Sequence, residues 1–346
     1  MSSTAAGPAP AARLRDLHIG FGRDGARRVV RGVDLDLVPG RVTALVGESG
    51  SGKSLTSLAL MGLLPAGARV SAGTVEIEGR DTAGFTDAQW RQLRGAKVAM
   101  VFQDPMAALN PSFTVGWQIA ETLRRRGTGR RAARERAVEL MRTVGIPDPE
   151  AKYGAYPHEF SGGMRQRAVI AMALTLDPAV LLADEPTTAL DVTVQAQILR
   201  LLARRQTEAG MAMLLVSHDL GVVARVAQDV AVMYAGRIVE TGALDAVYTA
   251  PAHPYTRGLL DAVPDPARPG RLVPIEGQPP APGTLPAGCA FAPRCGYATE
   301  VCRTEDPALT AVGEAGQVGQ AGQAHKSACH HSGKILAGPE NVEAAS

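Results

Sequence analysis

At 346 residues, the chain is long enough for one large domain with an appendage, or for two domains. Its 36 basic and 34 acidic residues give a net charge of +2, so nothing in the overall balance indicates a nucleic-acid partner. The longest uncharged apolar stretch, 168–176, is shorter than the roughly 18 residues that a membrane helix needs. We therefore expect a soluble, cytoplasmic protein without a membrane span of its own.

The N-terminal part of the sequence predicts a small β element. Residues 1–12 are small and rich in Pro and Ala, so we expect a disordered tail and not a signal peptide. The stretches 14–21 and 29–38 alternate apolar and polar residues around a glycine-rich turn, which indicates two antiparallel strands. The apolar run 42–46 that follows indicates a buried parallel strand.

A phosphate-loop motif follows this strand and precedes a helix predicted over 55–61. A glycine, four free positions and Gly-Lys-Ser make up the motif: Gly47, Glu48, Ser49, Gly50, Ser51, Gly52, Lys53 and Ser54. Glycines let backbone N–H groups close on a polyphosphate, while the lysine holds β- and γ-phosphate oxygens and the serine hydroxyl binds Mg²⁺. The motif therefore predicts a nucleoside triphosphate site. Phe21 lies where its ring could stack on adenine, and an ordinary packed phenylalanine is an equal alternative.

Polar side chains follow three further apolar runs, where an open α/β sheet places its ligand. They are Gln103 after the run 97–102, Asp184 and Glu185 after the run 180–183, and His218 after the run 211–217. In a phosphate-loop protein, Asp184 is expected to hold Mg²⁺ through its water shell and Glu185 to polarise the attacking water. A solvated strand end is the alternative for the two carboxylates. His218 could sense the γ-phosphate, although a lone histidine is more often structural.

Helical periodicity replaces the strand pattern from about 104 to 178. Three segments show it: 115–126, 131–144 and 164–176. We expect an inserted helical subdomain. Within it, Ser161 can cap a helix while Gly162 and Gly163 leave the first N–H groups bare, which predicts a second anion site. A flexible helix start is the alternative interpretation.

The C-terminal part contains all the cysteines. The segment 246–288 is rich in proline and lacks long apolar periodicity, so we expect it to be extended and docked on the preceding domain. The four thiols follow it: Cys289, Cys295, Cys302 and Cys329. In a cytosolic chain this grouping favours a metal or a cluster over disulfides. Their spacing differs from the paired hooks of zinc ribbons, and an all-thiolate site suits iron–sulfur as well as zinc.

Two points about this cysteine group stay open. The cysteines could be unligated structural residues. Three histidines near the last cysteine could also replace it as a ligand: His325, His330 and His331. Because the group lies far in sequence from every phosphate-binding motif, we expect its role to be structural.

In their order, these motifs resemble those of the ATP-binding cassette (ABC) ATPase family over residues 13 to about 245. The resemblance rests on the phosphate loop, Gln103, Ser161 to Gly163, Asp184, Glu185, Ala189, Leu190, Asp191 and His218. It implies that ATP is the nucleotide, and that Gln103 contacts Mg²⁺ and the membrane partner and is catalytic together with Glu185 and His218. It also implies that Ser161 to Gly163 bind the γ-phosphate of ATP on a facing subunit. Met164 replaces the more usual glutamine, which should leave backbone phosphate contacts intact.

The chain is further similar to the ATPase subunits of oligopeptide and dipeptide importers. The similar segments are 102–111, 183–192, 233–236, 253–256 and the cysteine-containing stretch 288–302. This resemblance favours a [4Fe–4S] cluster, with Zn²⁺ as the alternative. It implies a second, related ABC ATPase subunit, two transmembrane permease subunits and an extracytoplasmic substrate-binding protein, with no nucleic-acid partner. The location implied is the cytoplasmic face of the cell membrane, as a peripheral protein.

We expect an α/β fold with a P-loop ABC ATPase core, an antiparallel β element, a helical insertion and a Cys-rich C-terminal extension. The expected domains are a tail at 1–12, an ATPase at 13–245, an extension at 246–335 and a flexible tail at 336–346. The expected function is ATP hydrolysis that drives peptide import, with two cassettes facing head to tail. The alternatives are an importer for nickel or another small solute, a cassette ATPase serving translation or DNA repair, and a module that binds ATP without hydrolysing it.

Overall fold

A computed structural model describes residues 8–22, 25–187, 190–263, 274–281, 283–312 and 324–336. The strands of this part of the chain are β1 (Ala12–Phe21), β2 (Arg27–Leu37), β3 (Val42–Val46), β4 (Ala68–Ile77), β5 (Arg80–Asp81), β6 (Val98–Val101), β7 (Val180–Asp184), β8 (Ala212–Ser217), β9 (Asp229–Tyr234), β10 (Arg237–Ala243), β11 (Thr310–Ala311) and β12 (Lys326–Ser327). The helices are α1 (Lys53–Met61), α2 (Asp87–Leu93), α3 (Pro105–Ala108), α4 (Val115–Arg125), α5 (Arg130–Thr143), α6 (Pro149–Lys152), α7 (Gly162–Ala173), α8 (Val192–Ala209), α9 (Leu220–Val223), α10 (Leu244–Thr249), α11 (Pro254–Asp261), α12 (Glu300–Thr304) and α13 (Ser332–Leu336).

The smaller sheet is antiparallel, with the strand order β2-β1-β4-β5. This arrangement confirms the predicted pair of N-terminal strands. The predicted tail is wrong at its end, because Ala11 and Ala12 are buried and Ala11 N donates to Leu37 O at 2.8 Å. A backbone group paired in this way fixes the chain from residue 11 onwards. Residues 1–7 lie outside the described residues.

The larger sheet has the order β11-β12-β10-β9-β3-β8-β7-β6. The strands from β9 to β6 are parallel, whereas β10 and β12 join antiparallel. Every residue of β3, β7 and β8 is buried, as the uninterrupted apolar runs predict. Successive side chains enter opposite cores: Leu181 and Ala183 pack on one face, and Val180 and Leu182 pack on the other. The sheet therefore holds its loops between two apolar layers.

The helical insertion lies between β6 and β7. The predicted helices are present as α4, α5 and α7, which pack on one another. Ile119, Ala137, Met141 and Ile170 are fully buried at this contact. The domain boundaries themselves remain a prediction. Among the described residues, no helix is both long enough and apolar enough to span a membrane.

The C-terminal extension differs from its prediction. An extended segment over 246–288 is wrong for its first part, where α10 and α11 form. Pro254 is the first residue of α11, where a helix does not need its N–H group, and His253 Nδ1 accepts a hydrogen bond from Tyr255 N at 3.1 Å. Proline thus begins a helix here. Residues 264–273 and 282, and the C-terminal tail from 337 to 346, lie outside the described residues.

The extension also adds to the sheet and to the core of the preceding domain. β12 pairs antiparallel with β10, so that Ser327 lies opposite Glu240. Tyr255 and Phe291 are buried within the main apolar core. The extension is therefore docked, as expected, through a strand pair and aromatic packing that the sequence analysis did not predict.

Candidate functional site

The phosphate loop requires its glycines. Gly47, Gly50 and Gly52 have φ values of 149°, 80° and 107°, which non-glycine residues rarely adopt. A Cβ atom at Gly47 would lie 2.1 Å from the carbonyl oxygen of Met233. Helix α1 begins at Lys53 without a side-chain cap, so its first N–H groups can bind an anion. The loop and helix start therefore have the form of a polyphosphate cradle.

Lys53 is buried beside this loop. Its Nζ donates to the carbonyl oxygens of Gly47 at 2.7 Å and Glu48 at 2.8 Å. Burial lowers the pKa of Lys53, and the carboxylates of Glu185 and Asp184 partly oppose this shift. A bound phosphate would favour the charged ammonium in the same way. The Lys53 site therefore fits an anionic ligand.

Ser54 and Asp184 meet at the end of the cradle. Ser54 Oγ donates to Asp184 Oδ1 at 3.3 Å. Burial raises the pKa of Asp184, while the hydrogen bond from Ser54 acts in the opposite direction. A divalent cation would stabilise the ionised carboxylate at this place. A hydroxyl and a carboxylate beside a phosphate cradle fit Mg²⁺, which prefers oxygen ligands.

Three predicted residues converge at the ends of β6, β7 and β8. Gln103 Nε2 donates to Glu185 Oε2 at 2.9 Å, and His218 Nδ1 lies 2.9 Å from Glu185 Oε1. Glu185 has a φ of 46° and donates its backbone N–H to Val216 O at 3.0 Å. This left-handed conformation is costly for a glutamate and aims its side chain away from the strand direction. The strand ends thus hold one carboxylate between an amide and an imidazole.

These groups line one open cavity of about 970 Å³ together with Ser49, Gly50, Gly52, Lys53 and Ser54. Phe21 also lies in the wall of this cavity, with the Arg27 guanidinium 5.5 Å from the ring centroid. Sequence reasoning missed Arg27, Val29, Leu55 and Ala281, which also line the cavity. Ala281 carried no signal, because a single alanine in a proline-rich segment is uninformative. A phosphate loop and carboxylates at one edge of a parallel sheet are typical of a P-loop nucleoside triphosphatase.

The Ser161 segment lies elsewhere on the chain. Ser161 Oγ accepts a hydrogen bond from Met164 N at 3.3 Å, so it caps α7 as predicted. A Cβ atom at Gly163 would lie 2.9 Å from a methyl group of Val194, which explains the small residue there. Within the described part of the chain, the cavity lining does not include Ser161, Gly162 or Gly163. One chain alone therefore does not bring its two predicted anion sites together. Ala189, of the same set of motifs, lies outside the described residues.

The four cysteines line one small cavity and are free thiols. Burial raises the pKa of Cys289 and Cys295, and it raises the pKa of Cys329 to about 12. Backbone N–H groups approach these sulfurs, and His331 N donates to Cys329 Sγ at 3.3 Å. Over the residues described here, no group of three or more Cys, His, Asp or Glu forms a metal site as arranged. The prediction of a four-cysteine metal site is therefore not confirmed.

The cysteine-containing extension contacts the nucleotide site. Arg294 lies directly before Cys295, and its guanidinium donates to both carboxylate oxygens of Glu48 at 2.8 and 2.9 Å. Tyr255 Oη accepts a hydrogen bond from Glu48 N at 2.7 Å. Sequence distance hid these contacts, because the two residues of the ion pair are 246 positions apart.

Comparison with known proteins places this geometry in a family. Residues 30–188 match the ABC transporter family, and residues 239–302 match the oligopeptide/dipeptide transporter C-terminal region. A Brucella abortus protein named for peptide import is 53% identical over 308 residues, covering 84% of this chain and 91% of that protein. The dipeptide transport ATP-binding protein of Escherichia coli is 46% identical over 318 residues, covering 91% and 94%. The chain belongs to the ABC transporter ATPase family.

The solved structures agree with this assignment. The dimeric post-hydrolysis state of an ATP-binding cassette bound to ADP and phosphate has a TM-score of 0.60 and 26% identity, covering 67% of this chain and 98% of that one. A cassette from Clostridium perfringens, part of an ABC transporter complex, has a TM-score of 0.62 and 25% identity, covering 70% and 91%. These similarities confirm the predicted α/β ABC ATPase fold and ATP hydrolysis as the activity.

Proposed function

We propose that the chain is the ATP-hydrolysing subunit of an importer for dipeptides or oligopeptides. The match of residues 239–302 to the oligopeptide/dipeptide transporter C-terminal region carries this proposal. The relatives named for dipeptide and peptide import support it over most of the chain. The same observations favour peptides over nickel or another small solute, and import over a role in translation or DNA repair.

We propose the following roles for the site residues. The loop from Gly47 to Ser54 binds the ATP phosphates, with Lys53 on the β- and γ-phosphates. Ser54, Asp184 and Gln103 are placed to hold Mg²⁺, which neutralises developing charge on the phosphates. Gln103 donates to Glu185 through its amide nitrogen, whereas its amide oxygen would be the Mg²⁺ ligand, so the two contacts are compatible.

Glu185 is the proposed general base. Its Oε2 accepts a hydrogen bond from Gln103, and its Oε1 shares a hydrogen bond with His218. The two neighbours fix the orientation of the carboxylate, which is the condition for efficient base catalysis. His218, with a side chain 62% exposed, lines the same cavity as the phosphate loop, where it is proposed to contact the γ-phosphate.

We further propose that ATP is held between two cassettes facing head to tail. The position of Ser161, Gly162 and Gly163 supports this arrangement, because they lie at a helix start outside their own chain's cavity. A solved relative of this fold is described as dimeric. The facing cassette is proposed to be a related, non-identical subunit, and ATP favours the closed pair because it contacts both surfaces.

The proposed membrane partners are two permease subunits at the cytoplasmic face, supplied with cargo by an extracytoplasmic substrate-binding protein. Exposed apolar side chains near Gln103 support a docking surface for a permease: Phe102, Met106 and Phe113. The rings of Phe113 and Trp117 are stacked, with their centroids 4.4 Å apart, and form an apolar aromatic pair at the start of α4. Apolar groups grouped on a surface are typical of an interaction site.

A [4Fe–4S] cluster bound by Cys289, Cys295, Cys302 and Cys329 is proposed for the extension, with Zn²⁺ as the alternative. Two observations support it: the four thiols line one cavity, and backbone N–H groups face three of the sulfurs. Such hydrogen bonds stabilise thiolates in cluster sites. Anaerobically purified chain should be brown, with iron and sulfide in a ratio of about 4:4. Colourless protein with one zinc would support the alternative, and metal-free protein with four titratable thiols would contradict both.

The peptide importer is tested by reassembling the chain with the proposed permeases, partner ATPase and binding protein in vesicles. We expect ATP hydrolysis to rise when the binding protein is loaded with a dipeptide, and labelled dipeptide to accumulate inside. Nickel salts under the same conditions serve as the control. Stimulation by Ni²⁺ without stimulation by peptides would contradict the proposed cargo.

A further inference from the structure

The C-terminal extension reaches into the nucleotide site at one residue of the phosphate loop. The Arg294 side chain is only 5% exposed, and it forms a two-pronged ion pair with Glu48. Planar guanidinium and carboxylate groups meet in this way with defined geometry, so the pair fixes orientation as well as distance. Glu48 is the second residue of the loop, directly after Gly47. The extension therefore holds the loop where its glycine-rich part begins.

Arg294 is itself held rigidly. Its Nε donates to Glu276 O at 2.9 Å, and its Nη2 donates to Ile275 O at 3.3 Å. Its Nη1 also donates to the hydroxyl of Tyr234 at 3.3 Å, on β9 next to the loop strand β3. Few of its donors remain to be satisfied by water. These three contacts hold the guanidinium in place independently of Glu48.

A second contact fixes the backbone of the same loop residue. Glu48 N donates to Tyr255 Oη at 2.7 Å, and the Tyr255 ring is fully buried. The ring centroid of Tyr255 lies 4.6 Å from that of Tyr234 and 5.5 Å from that of Phe291. The carbonyl oxygen of Glu48 in turn accepts a hydrogen bond from Lys53 Nζ. One continuous set of contacts thus leads from the extension to the lysine of the phosphate loop.

A phosphate loop rich in glycine cannot fix its own conformation, because glycine has the largest backbone freedom of any residue. Neighbouring structure must supply the restraint, and ordering the loop before ATP arrives lowers the cost of binding. We propose that Arg294 is a positioning residue for ATP binding, acting through Glu48 on the phosphate loop. This inference rests on the ATPase activity and extends it to the C-terminal region.

The experiment measures ATP affinity of the purified full-length chain for Arg294→Gln, Glu48→Gln and the double variant. We expect each single variant to weaken ATP binding about tenfold, equivalent to about 1.4 kcal/mol. The double variant should bind no more weakly than either single variant, because both remove the same pair. Arg294→Lys keeps the positive charge but cannot form the two-pronged ion pair, so we expect an intermediate loss of ATP affinity.

Arg303→Gln is the matched control, because Arg303 belongs to the same extension but is 62% exposed and, among the residues that the structure describes, forms its ion pair with the nearby Glu300. Its ATP affinity should equal that of the wild type. In the reassembled complex, the KM for ATP should rise in Arg294→Gln while kcat changes less than about twofold. A residue that only anchors the extension would move neither constant.

Two results would overturn the proposal. One is unchanged ATP affinity in Glu48→Gln, a variant that keeps every side chain of the extension. The ATP affinity of Glu48→Gln tests the positioning role even if Arg294→Gln loosens the extension. The other is additive loss in the double variant, which would mean that the two residues act separately. Failure of the wild-type chain to bind ATP would instead contradict the ATPase assignment, and the proposed cargo does not enter these measurements.

Discussion

In the nucleotide site, the functional groups follow from the order of the strands and the glycines of one loop. In the C-terminal extension, function depends on side chains that meet residues far away in the sequence. Gln103, Glu185 and His218 converge because β6, β7 and β8 are parallel neighbours with their ends at one edge. Arg294 reaches Glu48 only because the extension folds back over the ATPase part. Local sequence patterns therefore predict the first region, whereas the second forms only when the extension docks on the ATPase part.

The largest expected effect tests the locally specified region. Glu185→Gln should keep ATP binding, because the phosphate loop is untouched, but lose turnover by roughly 10²- to 10⁴-fold through loss of the base. ATP affinity and turnover are measured in the reassembled complex. Glu300→Gln, at an exposed position of the extension, is the matched control. Turnover near wild type in Glu185→Gln would show that another group activates the water.

The next effect concerns whether one chain completes the site. Ser161→Arg should leave ATP binding by a single chain intact but prevent two cassettes from closing, because a bulky side chain would occupy the facing phosphate position. The dimer fraction is measured by size exclusion with ATP, in the Glu185→Gln background and with the partner ATPase present. An equal dimer fraction with and without the change would contradict the head-to-tail arrangement.

Lys53→Ala should weaken ATP binding itself, in contrast to Glu185→Gln. Loss of a charged hydrogen bond costs about 1.5–3 kcal/mol, so the dissociation constant should rise roughly 10- to 150-fold. Titration of the purified chain with a fluorescent ATP analogue measures this change. Arg13→Ala, on the N-terminal sheet, controls for the loss of one positive charge. Equal affinity in Lys53→Ala and wild type would remove Lys53 from the phosphate contacts.

A smaller effect tests the docking of the extension. His253 is fully buried, and burial lowers its pKa from the ordinary 6.5 to about 3. Between these pH values the unfolded chain binds a proton that the folded chain does not. Stability is therefore highest above pH 6.5 and falls as the pH decreases, by about 2 kcal/mol at pH 5 from this group.

The variant His253→Asn separates this titration from other effects of acid. Asn can accept the same hydrogen bond from Tyr255 N but does not ionise. Unfolding by urea at pH 7 and pH 5 should show a smaller pH dependence in the variant than in the wild type. Equal pH dependence in both proteins would mean that His253 is not held neutral by burial.

The sequence predicted the nucleotide site well for a physical reason. Strands buried on both faces read as uninterrupted apolar runs, as in β3 and β7, and the polar residues at their ends are easily seen. The glycines of the loop indicate a backbone with positive φ values, which other residues rarely adopt. The left-handed conformation of Glu185 could not be predicted, because nothing in its neighbouring residues requires it.

The extension was predicted less well because its signals are not local. The proline-rich composition predicts an extended segment, yet Pro254 begins α11, with His253 as the cap. A single arginine before Cys295 indicates nothing until its partner Glu48 is known. Likewise, the pairing of β12 with β10 involves only two residues of β12. Contacts of this kind depend on the tertiary fold rather than on periodicity.

We propose that these two regions form one mechanical unit at Glu48. Backbone hydrogen exchange of residues 47–52, measured without nucleotide in the wild type, Arg294→Gln and Arg303→Gln, tests it directly, because exchange reports local opening. We predict exchange about tenfold faster in this loop for Arg294→Gln, in proportion to the expected loss of ATP affinity, and wild-type exchange for Arg303→Gln. Unchanged exchange of the loop in Arg294→Gln, with faster exchange confined to residues 289–295, would contradict the claim.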